Sequence, residues 1–282
     1  MKFAFWNVKG KLLVPLLREL VERHGIELLV LAEFLDPENQ LLHALNSSGR
    51  SFFKLLNIGC DRITIYSNFE PGHFSPRREA GTYTIREFAK PGYLSAIFGF
   101  VHLPSKAHMK DDEQLQEVMY FMQDVRAVEA ECQNTNTVLA GDFNMNPFDP
   151  GMIAAAGVHS VSCLATASRG PRTIRERKHD FFYNPTWNLL GDWDGPAGTF
   201  FYPPPSYDSL YWHMLDQVVL RPSLAKLFDP KSLRILTSIG SDSLMSNLGR
   251  PSVSDHLPII FSIALEAPVA SKEVRREESM AQ

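Results

Sequence analysis

Short runs of aliphatic and aromatic residues recur along this chain, and their length is what most restricts its fold. KFAFWNV (2–8), IELLVLAEF (26–34), RITIYSN (62–68), GTYTIREFA (81–89), YLSAIFGFVHL (93–103), NTVLAGDFN (136–144), LDQVVLRP (215–222) and HLPIIFSIAL (256–265) are short for helices and rich in residues that suit a pleated surface. They read as strands. Between them, Leu12, Leu13, Leu16, Leu17, Leu20 and Val21 share one face of a predicted helix that Gly25 can close. In 111–132, Leu115, Val118, Met119, Met122 and Val125 form one stripe, with Asp111, Asp112 and Glu113 at the positive end of the dipole. Asp149 is placed to cap a short helix that starts at Pro150 and ends at Gly157. Too many strands follow one another for an alternating βαβ barrel, so the expected class is α/β, with two packed sheets covered by helices.

No repeat and no Gly-, Ser- or Pro-rich linker divides the 282 residues, and one large catalytic domain over 1–266 is expected. The remainder, 267–282, is charged and poor in apolar residues, which predicts a solvated tail. A net charge of −4 excludes a general positive field for a polyanion, so any nucleic-acid contact must be local. Cys60, Cys132 and Cys163 are few and lack metal-ligand spacing, which argues against a disulfide or zinc framework and suits a reducing compartment. Neither a secretory signal nor a membrane segment is expected, because Asn7, Lys9 and Lys11 interrupt the first apolar run. A cytoplasmic location follows as the expectation.

The strand-like runs share a second property: they end or begin in polar groups. Asn7, Glu33, His102, Asp142, Asp216, Asp255 and His256 all sit at or near such ends. Each has an ordinary explanation as a turn former or solvated residue. If the ends converge, however, the set offers hard oxygen donors with imidazole, which suits Mg²⁺ or Mn²⁺ better than zinc. In Gly141-Asp142-Phe143-Asn144, the period of two would point Asp142 and Asn144 to one face.

FWNV, VLAEF, FVHLPS, AGDFN, MLDQVVL and SDHLPI, in this order over nearly the whole chain, resemble the endonuclease/exonuclease/phosphatase superfamily, which includes DNase-I-like nucleases. The resemblance implies a four-layered α/β sandwich, two packed mixed β-sheets flanked by helices, with the site at one edge. It also implies a divalent-metal-dependent phosphodiesterase, most simply a nuclease acting on nucleic acid. By resemblance, Glu33, Asn7 and Asp255 look like metal ligands and Asp142 like the residue that activates water. Asn144 looks like an amide for the phosphoryl oxygen, His256 paired with Asp216 like the imidazole on the scissile phosphate, and His102 like a second phosphate-binding group. In-line attack makes the same demands, since it needs a positioned water, a proton acceptor and positive charge on the developing oxygens.

Two departures from the family pattern stand out. Lys9 occupies a position that is often acidic, and Gly198-Thr199-Phe200 stands where Gly-Thr-Trp is common; Phe200 reads as core, against the alternative of a base-stacking platform. Trp187, after Asn184-Pro185, reads as packed beside a turn. The stretch 162–178 reads as a long basic loop, and Arg169, Arg172, Arg175, Arg177 and Lys178 are candidate substrate contacts, against the alternative of a solvated face. Two other readings keep the fold: a phosphoinositide or sphingolipid phosphoesterase, and a catalytically inactive binding module. The intact polar set disfavours the second. The lack of an amphipathic basic helix or an apolar protrusion in the sequence disfavours the first.

Overall fold

Along β1 (Lys2–Asn7), Phe3 and Phe5 enter one apolar layer while Ala4 and Trp6 enter another, as expected of a strand buried on both faces. The computed structural model describes residues 1–47, 49–106, 109–205, 207 and 209–267. All but the first residue of the expected tail therefore lies outside the described residues. After β1 come α1 (Val14–His24), β2 (Leu28–Ala32), α2 (Gln40–Asn46), β3 (Phe53–Leu55), β4 (Ile63–Ser67), β5 (Phe74–Ala80), β6 (Tyr83–Phe88), β7 (Ala96–His102), α3 (Asp111–Glu131) and β8 (Thr137–Asp142). The chain continues through α4 (Pro150–Ile153), β9 (Ser160–Val161), α5 (Leu164–Ala167), β10 (Arg172–Ile174), β11 (Arg177–His179), β12 (Phe182–Tyr183), β13 (Phe200–Phe201), β14 (Trp212–His213) and β15 (Asp216–Leu220). It closes with α6 (Pro222–Ala225), β16 (Arg234–Ile235), β17 (Ser238–Ile239), β18 (Asp242–Ser243) and β19 (Ile259–Ser262).

Two mixed sheets result, a six-stranded one in the order β16-β19-β1-β2-β4-β3 and a seven-stranded one in the order β5-β6-β7-β8-β15-β12-β9. In the first, β1 is parallel to β2 and antiparallel to β19; in the second, β8 is parallel to β7 and antiparallel to β15. Phe3, Phe5 and Val30 of one sheet face Phe98, Phe100, Val138, Ala140 and Val218 of the other in a shared core. Outside the first sheet, Ala4, Trp6, Leu29 and Leu31 pack on Leu17, Leu20 and Val21 of α1. Outside the second, Ile85, Val101, Leu139 and Val219 pack on α3. Helix, sheet, sheet, helix is the four-layered sandwich expected. Each buried Leu, Val or Phe side chain contributes about 1.5–3 kcal/mol from the area removed from water.

Gly25 closes α1 in the left-handed region at φ 63°, as expected. The stripe on α3 is rotated from the expected one: Phe121 and Val128 are buried with Val118, Met122 and Val125, whereas Met119 is exposed. Gly99 explains the preference, because its missing side chain leaves room for the Phe121 ring against β7. α4 stops at Ile153, short of Gly157, and the Asp149 carboxylate turns back to accept from the Asn146 N–H at 2.9 Å instead of capping forward. The 162–178 stretch is not a loop; it contains α5 and the start of a hairpin, β10–β11, turned by Arg175 and Glu176 at positive φ. No helix among the described residues is long and apolar enough to cross a membrane.

Gly141 fixes the approach of β7 and β8. It lies at φ 146°, and a Cβ there would sit 2.1 Å from the Val101 carbonyl oxygen. Gly141→Ala is expected to lower stability by roughly 3 kcal/mol or more, through both strain and overpacking. Gly72→Ala, where a Cβ meets nothing within 4 Å, serves as the comparison and should change stability by less than about 0.5 kcal/mol. Urea unfolding of the two variants checks this, and equal losses would show that close approach at Gly141 does not set the register.

Candidate active site

In-register neighbours on adjacent strands present their side chains to the same face of a sheet. His102, Asp142 and Asp216 form one such row, since His102 pairs with Asp142 across β7–β8 and Asp216 pairs with Asp142 across β8–β15. Each continues the parity of its strand's inner residues: Phe98 and Phe100 lead to His102, Val138 and Ala140 to Asp142, and Leu220 and Val218 back to Asp216. The polar row is thus the last row of the layer between the sheets. Across from it, Phe3 and Phe5 lead by the same parity to Asn7, which pairs with Ala32 and brings Glu33 alongside. His256 arrives on the segment before β19, where its carbonyl accepts from Trp6 Nε1 at 2.9 Å.

Asp142 lies at the centre. Its Oδ1 accepts from the Asn144 N–H at 2.8 Å, so Oδ2 faces the other groups. Oδ2 accepts from Asn7 Nδ2 at 3.1 Å and lies 3.8 Å from Nε2 of both His102 and His256. Asn7 Nδ2 also donates to Glu33 Oε1 at 3.0 Å, and His102 Nε2 is 3.4 Å from the same oxygen. Glu33 sits at φ 50°, a conformation that disfavours a side chain by about 1–2 kcal/mol, and its side chain remains 43% exposed. The left-handed turn aims the carboxylate at the mouth of the site.

His256 Nδ1 is hydrogen-bonded to Asp216 Oδ2 at 2.8 Å, while Asp216 Oδ1 is buried with no partner among the described residues. Burial works against the imidazolium, but the carboxylates of Asp216 and Asp142, the Asp216 hydrogen bond and Asp255 outweigh it and hold the His256 pKa up to about 9. His102 moves the other way: burial lowers its pKa despite Asp142 and Glu33, with Arg62 and His256 adding to the lowering. Burial pushes the Asp142 carboxyl up, against the attraction of His256. The arrangement therefore holds a cationic imidazole and a neutral one on either side of a carboxylate with raised proton affinity.

The structure brings Asn7, Glu33, His102, Asp142, Asp216 and His256 together. Asn144 is beside them but not by the period of two, because β8 ends at Asp142 and Asn144 turns at φ 51°. Its Nδ2 donates to the Leu103 carbonyl at 2.8 Å, and its own carbonyl accepts from Gln114 Nε2 at 2.9 Å. The Asp255 carboxylate meets the Lys9 ammonium at 2.7 Å. Arg172, Arg175, Arg177 and Lys178 are not brought in. Their hairpin precedes β12, whose Tyr183 pairs with Leu220, about 13 Å along β15 from Asp216 at 3.3 Å per residue, and β12 runs antiparallel, so the hairpin extends farther away. Its His179 instead packs against the Ala155 carbonyl and His159.

Several supports carried no sequence signal strong enough to single them out. Thr199 Oγ1 accepts from the Asp216 N–H at 3.2 Å, and Ser254 Oγ donates to the Asn7 carbonyl at 2.7 Å. Phe200 is half-buried, not core, and its ring lies 4.8 Å from that of His256.

Asp142, Asp216 and His256 lie close enough for a metal, with ligand atoms within 4.8 Å of one another. The Asp216–His256 hydrogen bond accounts for that proximity, and a charged imidazole repels a cation. Glu33 is the better fit, an accessible hard oxygen donor with the Asn7 amide beside it.

Comparison with known proteins matches residues 4–256 to the endonuclease/exonuclease/phosphatase family. A comparison with curated protein sequences finds no match. Among solved structures, a 3′ phosphatase, NExo, from Neisseria, bound to a product DNA hairpin, is similar at TM-score 0.56 and 17% identity, covering 93% of this chain and 99% of that one. An AP endonuclease from Archaeoglobus fulgidus gives 0.53 and 13%, covering 94% and 100%. TDP2 from D. rerio, complexed with a single-strand DNA product, gives 0.53 and 16%, covering 93% and 97%. At these identities the likeness is one of fold.

The raised His256 pKa makes a stability prediction. Between pH 6.5 and about 9 the folded protein keeps a proton that the unfolded chain releases, so this contribution is full below pH 6.5 and lost as pH rises through about 9. Urea titrations in EDTA should show the stability gap between the wild type and His256→Gln widest near pH 6 and narrowing toward pH 9.5. A gap that grows with pH would contradict the paired imidazolium.

Proposed function

The chain belongs to the endonuclease/exonuclease/phosphatase family, whose members hydrolyse phosphoester bonds, and from that premise we propose that residues 1–266 form a divalent-metal-dependent phosphodiesterase acting on nucleic acid. The carrying observation is Asp142 Oδ2, set 3.8 Å from each of two imidazoles and beside the Glu33–Asn7 pair. Two of the similar folds are held with DNA products, which supports nucleic acid as the substrate class.

Glu33, with Asn7, would hold Mg²⁺ or Mn²⁺, and Asp255 would join them on giving up Lys9. When bound, such an ion polarises a phosphoryl oxygen. The protein's own groups do the rest. Asp142 Oδ2 accepts the proton of a water whose oxygen forms the new bond to phosphorus, and its raised proton affinity suits that task. His256, kept protonated by Asp216, offers Nε2–H to a non-bridging oxygen, where negative charge grows as water attacks the phosphorus. The departing oxygen takes its proton from solvent. His102, neutral, contributes a dipole without adding charge. Asn144 spends one amide proton on Leu103, which orients the other toward the phosphate.

Hydrolysis of a single-stranded oligonucleotide and of bis(p-nitrophenyl) phosphate tests this reading. EDTA should abolish both activities and Mg²⁺ or Mn²⁺ restore them. Asp142→Asn should lower kcat by about 10² to 10⁴-fold with little change in KM, and Glu33→Gln should remove the metal response with the fold retained. Undiminished turnover in EDTA would overturn metal dependence, and a fully active Asp142→Asn protein would overturn its role as base. No hydrolysis of any phosphodiester would overturn the reading as a whole.

A further inference from the structure

With the basic hairpin directed away from the site and a net charge of −4, the chain has no general positive field to hold a polyanion, and Lys9, beside the site, is paired with Asp255 at 2.7 Å. Grip on a nucleic-acid substrate must come from elsewhere. The β13–β14 hairpin supplies a surface of another kind. Phe200 and Tyr202 project from the same side of their strand, their rings 6.5 Å apart and within 19° of parallel, as expected for residues two apart on an extended chain. The Phe200 ring lies 4.8 Å from the His256 ring, so the series runs outward from the imidazole assigned to the scissile phosphate. Tyr202 is 49% exposed, and Tyr211, whose carbonyl accepts from the Tyr202 N–H at 2.8 Å, is 47% exposed. The opposite side of the hairpin is occupied: Phe201 meets the Trp212 ring edge-on at 5.3 Å and carries the Arg250 guanidinium 4.5 Å from its centroid. Those contacts hold the hairpin in place and leave the Phe200–Tyr202 side open.

We infer that this side is a stacking platform for unpaired nucleobases, and that it makes the enzyme select single-stranded or unpaired nucleic acid over duplex. The inference rests on the nucleic-acid reading above. Stacking needs a free base face, and a duplex hides its faces between neighbouring pairs, so aromatic side chains discriminate where a field of lysines would not. Every base has such a face, so selection is by pairing state and not by sequence. Stacking releases no counterions, so the part of the affinity that the platform supplies should not change with salt.

The experiment measures Kd and kcat/KM of the full chain for a single-stranded oligonucleotide, its duplex, and a strand of the same length in which the central bases are replaced by abasic sugars. Metal-dependent hydrolysis of bis(p-nitrophenyl) phosphate by the wild type tests the underlying reading separately. For the wild type, the normal single strand should bind about 5- to 150-fold more tightly than the abasic strand, the factor expected for one stacked base. Tyr202→Ala should lose a similar factor on the normal strand through Kd and KM, with kcat changed less than about twofold, and Tyr202→Phe should restore it. Removing the base and removing the ring should not add, because they delete the same contact. Equal affinity for duplex and single strand, or a Tyr202→Ala protein that still prefers bases to abasic sugars by the wild-type factor, would overturn the platform even where small-diester hydrolysis persists.

Discussion

The register across β7, β8 and β15 is the constraint on which the rest depends. Gly141 lets β8 lie against the Val101 carbonyl, and that closeness places His102, Asp142 and Asp216 in one row. A slip of one residue would turn Asp142 to the face covered by α3 and put Phe143 or Gly141 where the carboxylate belongs. Stability and chemistry are therefore joined in one layer. The same parity that buries Val138 and Ala140 delivers the carboxylate at the first position where the core opens.

Two imidazoles at equal distance from one carboxylate oxygen differ in charge because only one has an anion behind it. His256 gains Asp216 on its far nitrogen, whereas the far nitrogen of His102 is buried without a partner among the described residues. Burial lowers both, and the extra carboxylate decides the outcome for His256. Thr199 and Ser254 then matter as supports, since they hold the backbone of Asp216 and Asn7 through hydroxyl groups. That arrangement keeps net charge low in a buried place, where unpaired charge is expensive.

Strand ends were the legible part of this site. Asn7, Glu33, His102, Asp142, Asp216 and His256 could be picked out because apolar runs stop or start abruptly at them, and the packed sheets followed from short strands separated by few helices. Local competition hid the rest. Asn144 departs from the strand because the Asp142 carboxylate captures its N–H, a bond that alternation of side chains does not include. Asp255 is engaged by Lys9, some 246 positions away in sequence (255 − 9), a pairing no local pattern reveals. Arg172 to Lys178 looked like a free basic loop, yet short pairing with a left-handed turn at Arg175 and Glu176 makes it a hairpin, and β12 carries it away from the site. On α3 the expected Val118, Met122 and Val125 are buried, but Phe121 takes the place expected of Met119, since Gly99, on a different element, leaves room for its ring.

The two ends of the chain are stitched together at the site itself. Trp6 donates to the His256 carbonyl and Ser254 to that of Asn7, while β1 lies in the sheet between β2 and β19. Such contacts span about 250 residues, so closing them carries a large loop-entropy cost. During synthesis, a ribosome-bound chain that has emerged only as far as β8 possesses Asp142 and Glu33 but neither Asp216 nor His256. The complete polar cluster is thus a property of the finished molecule: until β15 and the 254–256 segment are added, Asp142 lacks both its row neighbour Asp216 and the His256 imidazole.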